Sequence, residues 1–236
     1  MAGPHAQDPT AEHVPVPRYF EELDQPLGCP RVGFSTDFGW VNTDPAVAEQ
    51  CLAAADVLRS LGCHVVEHDT TFDLRRMLPA KYLVGDVSVA IAVDKLSSVR
   101  DPAVVHEALC EYVKDPVAEG RRVSAAEYAA ALAELYTVRA EVQALFADYD
   151  LFLTPTTSLP AYPAGAGWPS YAKDFAAFTW PFNISGFPAA TVPYGFASDN
   201  RPIGLQIVGR PWEEGLVLRA CNALERALPT AHDSLR

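Results

Sequence analysis

Asn183-Ile-Ser-Gly-Phe-Pro-Ala-Ala-Thr-Val-Pro-Tyr-Gly-Phe196, followed after a short polar turn by Arg201-Pro-Ile-Gly-Leu-Gln-Ile-Val-Gly-Arg210, decides how the rest of this chain is read. Gly186 and Pro188 punctuate the entry to a run of small and β-branched residues, Ala189 to Pro193. Ser198-Asp199-Asn200 then makes a turn before the apolar run Ile203 to Val208. Turn residues between two apolar runs predict a hairpin-like pair of buried strands. Gln206 interrupts the second run. An amide in such a place reads as a buried group hydrogen-bonded to a neighbouring loop.

Upstream, Arg31-Val-Gly-Phe-Ser35 reads as a strand and Thr36 to Val41 as the loop leaving it. Asp44 before Pro45 is a helix cap followed by proline at the first helical position. Val47, Cys51, Ala54, Leu58 and Leu61 then recur at helical spacing until Gly62. Cys63-His-Val-Val-Glu67 returns as a strand, which makes a β-α-β unit with parallel strands. The pattern is helical but less regular from Phe72 to Leu96, where Pro79 marks a break or a start, and again from Pro102 to Val113. Ser124-Ala-Ala-Glu127 has the capping-box form and opens the strongest helix. Asp150-Leu-Phe-Leu-Thr154 is a buried strand, and Pro160, Pro163, Gly165, Gly167 and Pro169 make an irregular loop. Glu213 to Leu228 forms a closing helix.

Composition narrows the function classes. With 236 residues and 49% hydrophobic content the chain can bury a sizeable core. Residues 1–30, rich in Pro, His and acidic groups, read as an extended N-terminal segment ahead of a domain at 31–236. No apolar run reaches the roughly 18 to 20 residues that span a bilayer, and Met1-Ala-Gly-Pro-His lacks the look of a secretory leader. A cytoplasmic protein with no membrane partner is expected. The net charge of -12 and the scattered Lys81, Lys95, Lys114 and Lys173 disfavour a nucleic-acid partner. Cys29, Cys51, Cys63, Cys110 and Cys221 lack C-x-x-C spacing, so neither a disulfide framework nor a metal site is expected.

The terminal strand pair resembles the carboxy-terminal signature of the amidase signature family. Arg31-Val-Gly-Phe-Ser35 with the Asp44-Pro45 helix and Gly62-Cys-His-Val-Val-Glu67 resembles the strand, helix and strand that follow that family's catalytic core. Asp150-Leu-Phe-Leu-Thr-Pro-Thr156 resembles its D-x-hydrophobic-hydrophobic-x-P-T strand, and Phe178-Thr-Trp-Pro-Phe-Asn183 its polar loop before the Gly-x-Pro turn. Even Met1-Ala-Gly-Pro-His-Ala-Gln-Asp-Pro9 resembles the linker downstream of the core. The resemblance implies an α/β fold, a three-layer mixed sheet of about five strands flanked by helices. It also implies the activity of an amidase, a hydrolase acting on C–N bonds other than peptide bonds, with no cofactor and a small-molecule amide as substrate.

In the family, the resemblance implies, a serine, a bridging serine and a lysine from a Gly/Ser-rich segment do the chemistry. No Gly-Gly-Ser-Ser-Gly-like run occurs in this sequence. The sequence reading therefore expects a partial amidase-signature fold, the C-terminal portion downstream of the core, with no catalytic residues of its own and inactive alone. Two further readings stand beside it: an interaction subunit paired with a separately encoded amidase core or with a second copy of itself, and a truncated gene product beginning at Met1.

Substrate-binding candidates are Thr154, Thr156, Phe178, Thr179 and Asn183, at strand ends and in the loop that the resemblance implies walls the acyl-side pocket. Loop bracing, with Asn183 serving its own turn, explains them equally. Trp168, Tyr171, Trp180 and Phe182 line a pocket or form an apolar patch. Ser170-Tyr-Ala-Lys173 has S-x-x-K spacing without companion motifs and reads as a solvated helix end. Ser35, Thr36 and Asp37 sit past a strand's carboxyl end, where ligand binding and turn chemistry compete. His64 and His68 share a strand face without further metal ligands.

Overall fold

The computed structural model describes residues 3–8, 14–69, 71–162 and 175–227. Among them, five strands form one mixed sheet in the order β2-β1-β3-β5-β4, with β1 at Arg31–Phe34, β2 at His64–Glu67, β3 at Leu151–Pro155, β4 at Ala189–Phe196 and β5 at Pro202–Gly209. β1 runs parallel to both β2 and β3, whereas β5 runs antiparallel to β3 and to β4. The parallel half needs a crossover, and α2 (Pro45–Ser60) supplies it. Its start follows the sequence: the Asp44 carboxylate accepts from Ala46 N at 2.9 Å, and Pro45 fills a position whose N–H has no partner to lose. The antiparallel half needs a tight turn, and Asn200, at φ 62, provides the left-handed residue between β4 and β5.

Side chains of β3 alternate between two cores, as the two-residue period of a strand dictates. Leu151 and Leu153 face α2 and α8 (Glu214–Ala227), packing with Phe34, Leu58, Leu205, Ile207 and Leu224. Phe152 faces the other way, onto α6 (Ala125–Leu145) and α7 (Trp180–Ser185), among Val142, Phe146, Phe178 and Phe182. Helices thus cover both faces. A partial fold would leave one face bare; here each carries a closed apolar cluster, which corrects that expectation.

The helical region between the two halves differs from its reading in detail. α3 (Leu78–Ser97) begins with Pro79 in its first turn, and the stretch after Pro102 divides into α4 (Pro102–Ala108) and α5 (Glu111–Gly120). Leu109, extended at ψ 131, ends α4 because its backbone leaves the helical region. α6 carries the expected capping box, with Ser124 Oγ accepting from Glu127 N at 3.2 Å and the Glu127 carboxylate accepting from Ser124 N at 2.8 Å. Within residues 1–30, α1 (Tyr19–Glu22) leads to a contact with α8: Asn222 Nδ2 donates to Leu23 O at 3.0 Å, and Arg226 pairs with Asp24 at 2.5 Å.

Candidate active-site wall at the carboxyl edge of the sheet

Three chain segments converge beyond the carboxyl end of β3. Thr154 lies opposite Gln206 in the β3–β5 register, and both are buried, at 0% and 4% exposure. Gln206 Nε2 spends its two hydrogens on Thr154 Oγ1 at 3.1 Å and Phe178 O at 2.8 Å. A buried amide without such acceptors would cost several kcal/mol of lost hydration, roughly 2–7 by the reference state used, so the sequence position and the two bonds require each other. The reading of Gln206 as a loop anchor matches this geometry, and the loop it anchors is the one carrying Phe178 and Thr179.

The Phe178 ring, itself fully buried, packs on Phe38 at 5.0 Å between centroids. Phe38 is held in a left-handed conformation at φ 51, its N–H donating to Ser35 Oγ at 2.9 Å. The loop after β1 is therefore tied to α7 through an aromatic contact. It is also tied to the loop after β3, since Asp44 N donates to Ser158 O at 2.8 Å and Thr43 Oγ1 to Thr36 O at 2.7 Å. Asp37 accepts from Gly39 N at 2.7 Å, and its carbonyl accepts from Trp40 N and Val41 N, so turn chemistry accounts for its carboxylate.

Not all five binding candidates meet. Thr154 and Phe178 are joined through Gln206. Thr179 is half-buried and donates to Ala176 O at 3.1 Å, and Asn183, exposed, stands one turn along α7 with its N–H on Thr179 O at 3.1 Å. Thr156 is on the other side, half-buried, with its hydroxyl on Thr191 Oγ1 at 3.2 Å. The stretch read as a polar loop, Phe178 to Asn183, is largely the short helix α7, ended by Gly186 at φ 73. Trp180 and Phe182 are buried in the core rather than lining a pocket. Trp168, Ser170, Tyr171 and Lys173 lie outside the described residues.

Charge near this wall is sparse. Lys81 sits with its ammonium 4.4 Å from the Tyr82 centroid and 5.9 Å from that of Trp180, and burial lowers its pKa. His64 is exposed, whereas His68 turns its ring edge onto Phe152 and Tyr149 and approaches the Tyr149 hydroxyl at 3.4 Å. Burial lowers the His68 pKa, against a smaller opposing effect of Asp69. Among the described residues, no cluster of His, Cys, Asp and Glu is placed to hold a metal ion. Nor does any lysine or histidine there hydrogen-bond a serine or threonine hydroxyl. The wall offers hydroxyls, an amide and an aromatic floor, which are groups for holding a neutral polar ligand in one orientation. Two cavities of about 400 Å³ lie elsewhere, lined by helical residues including Tyr82, Asp86 and Glu119 in one and Asp94, His106 and Arg121 in the other.

A mixed sheet with α-helices on both faces, and a threonine-rich wall at its carboxyl edge, is the frame of an amide-processing α/β enzyme. The sequence profile of the Amidase family matches residues 1–218, and the chain belongs to that family. It is 30% identical over 249 residues to a glutamyl-tRNA(Gln) amidotransferase subunit of Brevibacillus brevis, an alignment covering 96% of this chain and 50% of the relative. The corresponding subunit of Chloroflexus aggregans is 28% identical with the same coverage. The structure of 6-aminohexanoate cyclic dimer hydrolase superposes with a TM-score of 0.81 at 27% identity, covering 98% of this chain and 51% of that one. A bacterial aryl acylamidase shares the fold, with a TM-score of 0.84 at 22% identity and 98% and 50% coverage.

These matches correct the expectation of a truncated C-terminal portion that lacks a catalytic core and is inactive by itself or serves as a non-catalytic partner. Amidase-family sequence runs along nearly the whole chain, its first residues included, and the fold agrees over 98% of it. The sequence reading erred by weighting one absent motif above the continuous likeness on either side of the Asp44-Pro45 helix. The chain spans about half the length of the curated relatives it matches.

Proposed function

We propose that this protein acts on carboxamide C–N bonds of a small molecule, and that Thr154, Thr156, Phe178, Thr179 and Asn183 form the wall that receives the acyl side of the substrate. The observation that carries this reading is the Gln206 bridge, which fixes a strand end and a loop in one geometry at the carboxyl edge of the sheet. Amide cleavage gains from a substrate held close to its attack geometry, because positioning removes orientational entropy from the barrier. Thr156 and Thr179 are half-buried hydroxyls that exchange their present acceptors for a substrate carbonyl or amide, and the exposed Asn183 amide offers both a donor and an acceptor.

The names of the relatives bound the substrate class. An aminohexanoate dimer hydrolase and a glutamyl-tRNA(Gln) amidotransferase both point to amides of linear acyl chains. The net charge of -12 favours a small amide over a nucleic-acid substrate. Free cysteines throughout the described residues, and no described helix long and apolar enough to cross a membrane, fit a cytoplasmic location.

The test is steady-state hydrolysis of aryl anilides, linear aminohexanoate amides and glutamine, followed by released amine or ammonia. Turnover of at least one, with a KM raised several-fold by Asn183→Ala or Thr179→Ala and a smaller change in kcat, supports the wall. Turnover whose KM ignores all five positions assigns the wall elsewhere, and no turnover on any amide removes the activity.

A further inference from the structure

Cys29 and Cys63 stand at the amino-terminal ends of two neighbouring strands, at the opposite end of the sheet from the proposed substrate wall. Arg31 pairs with His64 in the parallel β1–β2 ladder. The ladder continues one residue back, because His64 N donates to Pro30 O at 3.0 Å. Carried to that position, the register sets Cys63 beside Pro30 and one residue away from Cys29. With strands about 4.8 Å apart and a rise of about 3.3 Å per residue, the two α-carbons are roughly 6 Å apart. That separation falls inside the window that a disulfide bridges.

The local backbone suits the link. Each cysteine follows a glycine in a left-handed conformation, Gly28 at φ 77 and Gly62 at φ 92, with open space around both. These two residues can turn to bring the Cβ atoms together without displacing a packed neighbour. The thiols differ in access: Cys29 is exposed and Cys63 is buried. Burial raises the Cys63 thiol, and the proximity of Cys29 adds to that shift. An exposed cysteine beside a sheltered one is the arrangement of an attacked thiol and its resolving partner.

We infer that Cys29 and Cys63 form a reversible oxidation site, closed to a disulfide by a low-molecular-weight disulfide such as oxidised glutathione and reopened by a reduced thiol. The Cys29 thiolate attacks one sulfur of glutathione disulfide, its S–S bond breaks, and one glutathione leaves as thiolate. The Cys63 thiolate then attacks the Cys29 sulfur of the mixed disulfide and expels the second glutathione. The two protein sulfurs are oxidised, the two glutathione sulfurs are reduced, and the two cysteine protons pass to the departing thiolates. The product pins the turn after α2 to the segment entering β1, and so clasps the edge strand β2 to its neighbour.

The experiment uses the full chain carrying Cys110→Ser, which removes the other exposed thiol, incubated with oxidised glutathione under native conditions. Peptide mapping without reductant is expected to find Cys29 linked to Cys63, a loss of two free thiols, and full reversal by dithiothreitol. In the same background Cys63→Ser is expected to trap Cys29 as its glutathione adduct. The inference is overturned if native protein with Cys63 intact holds Cys29 as a stable glutathione adduct, or if the linked peptide forms only after unfolding in denaturant. The mapping on the Cys63-intact chain decides the matter even where Cys63→Ser fails to fold, and it does not depend on amide hydrolysis.

Discussion

All five residues of β3 are buried, whereas across the twenty residues of α3 the buried ones are Ala80 and Ala90. Both segments are apolar in sequence, and composition alone gives them the same prospects. The difference lies in what surrounds them. β3 is the third of five strands and has a helical layer on each face, so every side chain meets a partner. α3 packs through a narrow line of contact with α5 and α6, leaving Tyr82, Ile91 and Leu96 exposed. The central strand can therefore hold a polar pair such as Thr154 and Gln206 rigidly, and the helical region tolerates charge and open space.

That contrast can be broken most strongly at its aromatic centre. Phe178→Ala removes a fully buried ring that touches Phe38, and a loss of about 3–5 kcal/mol in unfolding free energy is expected by denaturant titration. A loss below about 1 kcal/mol would mean that the wall is loosely packed. Gln206→Leu keeps the volume but deprives the Phe178 carbonyl and the Thr154 hydroxyl of a donor, costing about 1–3 kcal/mol. Gln206→Glu, which lacks the Nε2 donors, should resemble Gln206→Leu rather than the parent; parent-like stability would show that the bridge is dispensable.

On the helical side, Gly120→Ala sharpens the comparison. An added Cβ would stand 2.2 Å from the Asp86 carbonyl, so α3 and α5 must part, with a cost of about 1–3 kcal/mol. Hydrogen exchange should quicken in α3 and α5 while β3 keeps its protection. Equal loosening of both regions would refute their independence. Ser124→Ala deletes an exposed helix cap at a cost of about 1 kcal/mol, read as an earlier thermal transition.

The smallest effect expected is at His68. Its folded pKa is depressed by burial, so at high pH both folded and unfolded states hold it neutral and nothing is lost. As pH falls through the unfolded value near 6.5, the unfolded chain takes up the proton first and the fold weakens, until the folded pKa is also passed. His68→Phe should flatten that stretch of the pH–stability curve, and an unchanged slope would show that His68 does not contribute to it.

Much of this architecture is legible in the chain itself. Asp44-Pro45, the Ser124 capping box and the paired runs ending at Val208 are local signals whose physics is complete within a few residues, and each sits where the structure has it. α7 was hidden because a six-residue helix with Trp180, Pro181, Phe182 and Ser185 all buried shows no period. The Gln206 bridge was half visible: a lone amide in an apolar strand announces a partner, but the Thr154 register and the Phe178 carbonyl are set by pairings 52 and 28 residues distant. Likewise the Thr156–Thr191 contact joins two ordinary hydroxyls with no local mark. The balance between one absent motif and a family likeness running the length of the chain is a matter of extent, which short motifs do not measure.

The contact between Leu23 and Asn222 spans 199 residues, the long way round the fold. During synthesis at about 5–20 residues per second, the segment after α1 waits on the order of 10–40 s before α8 emerges to receive it. Through that interval the β1–α2–β2 unit can form without it, and the last turn of synthesis closes the molecule over its own beginning.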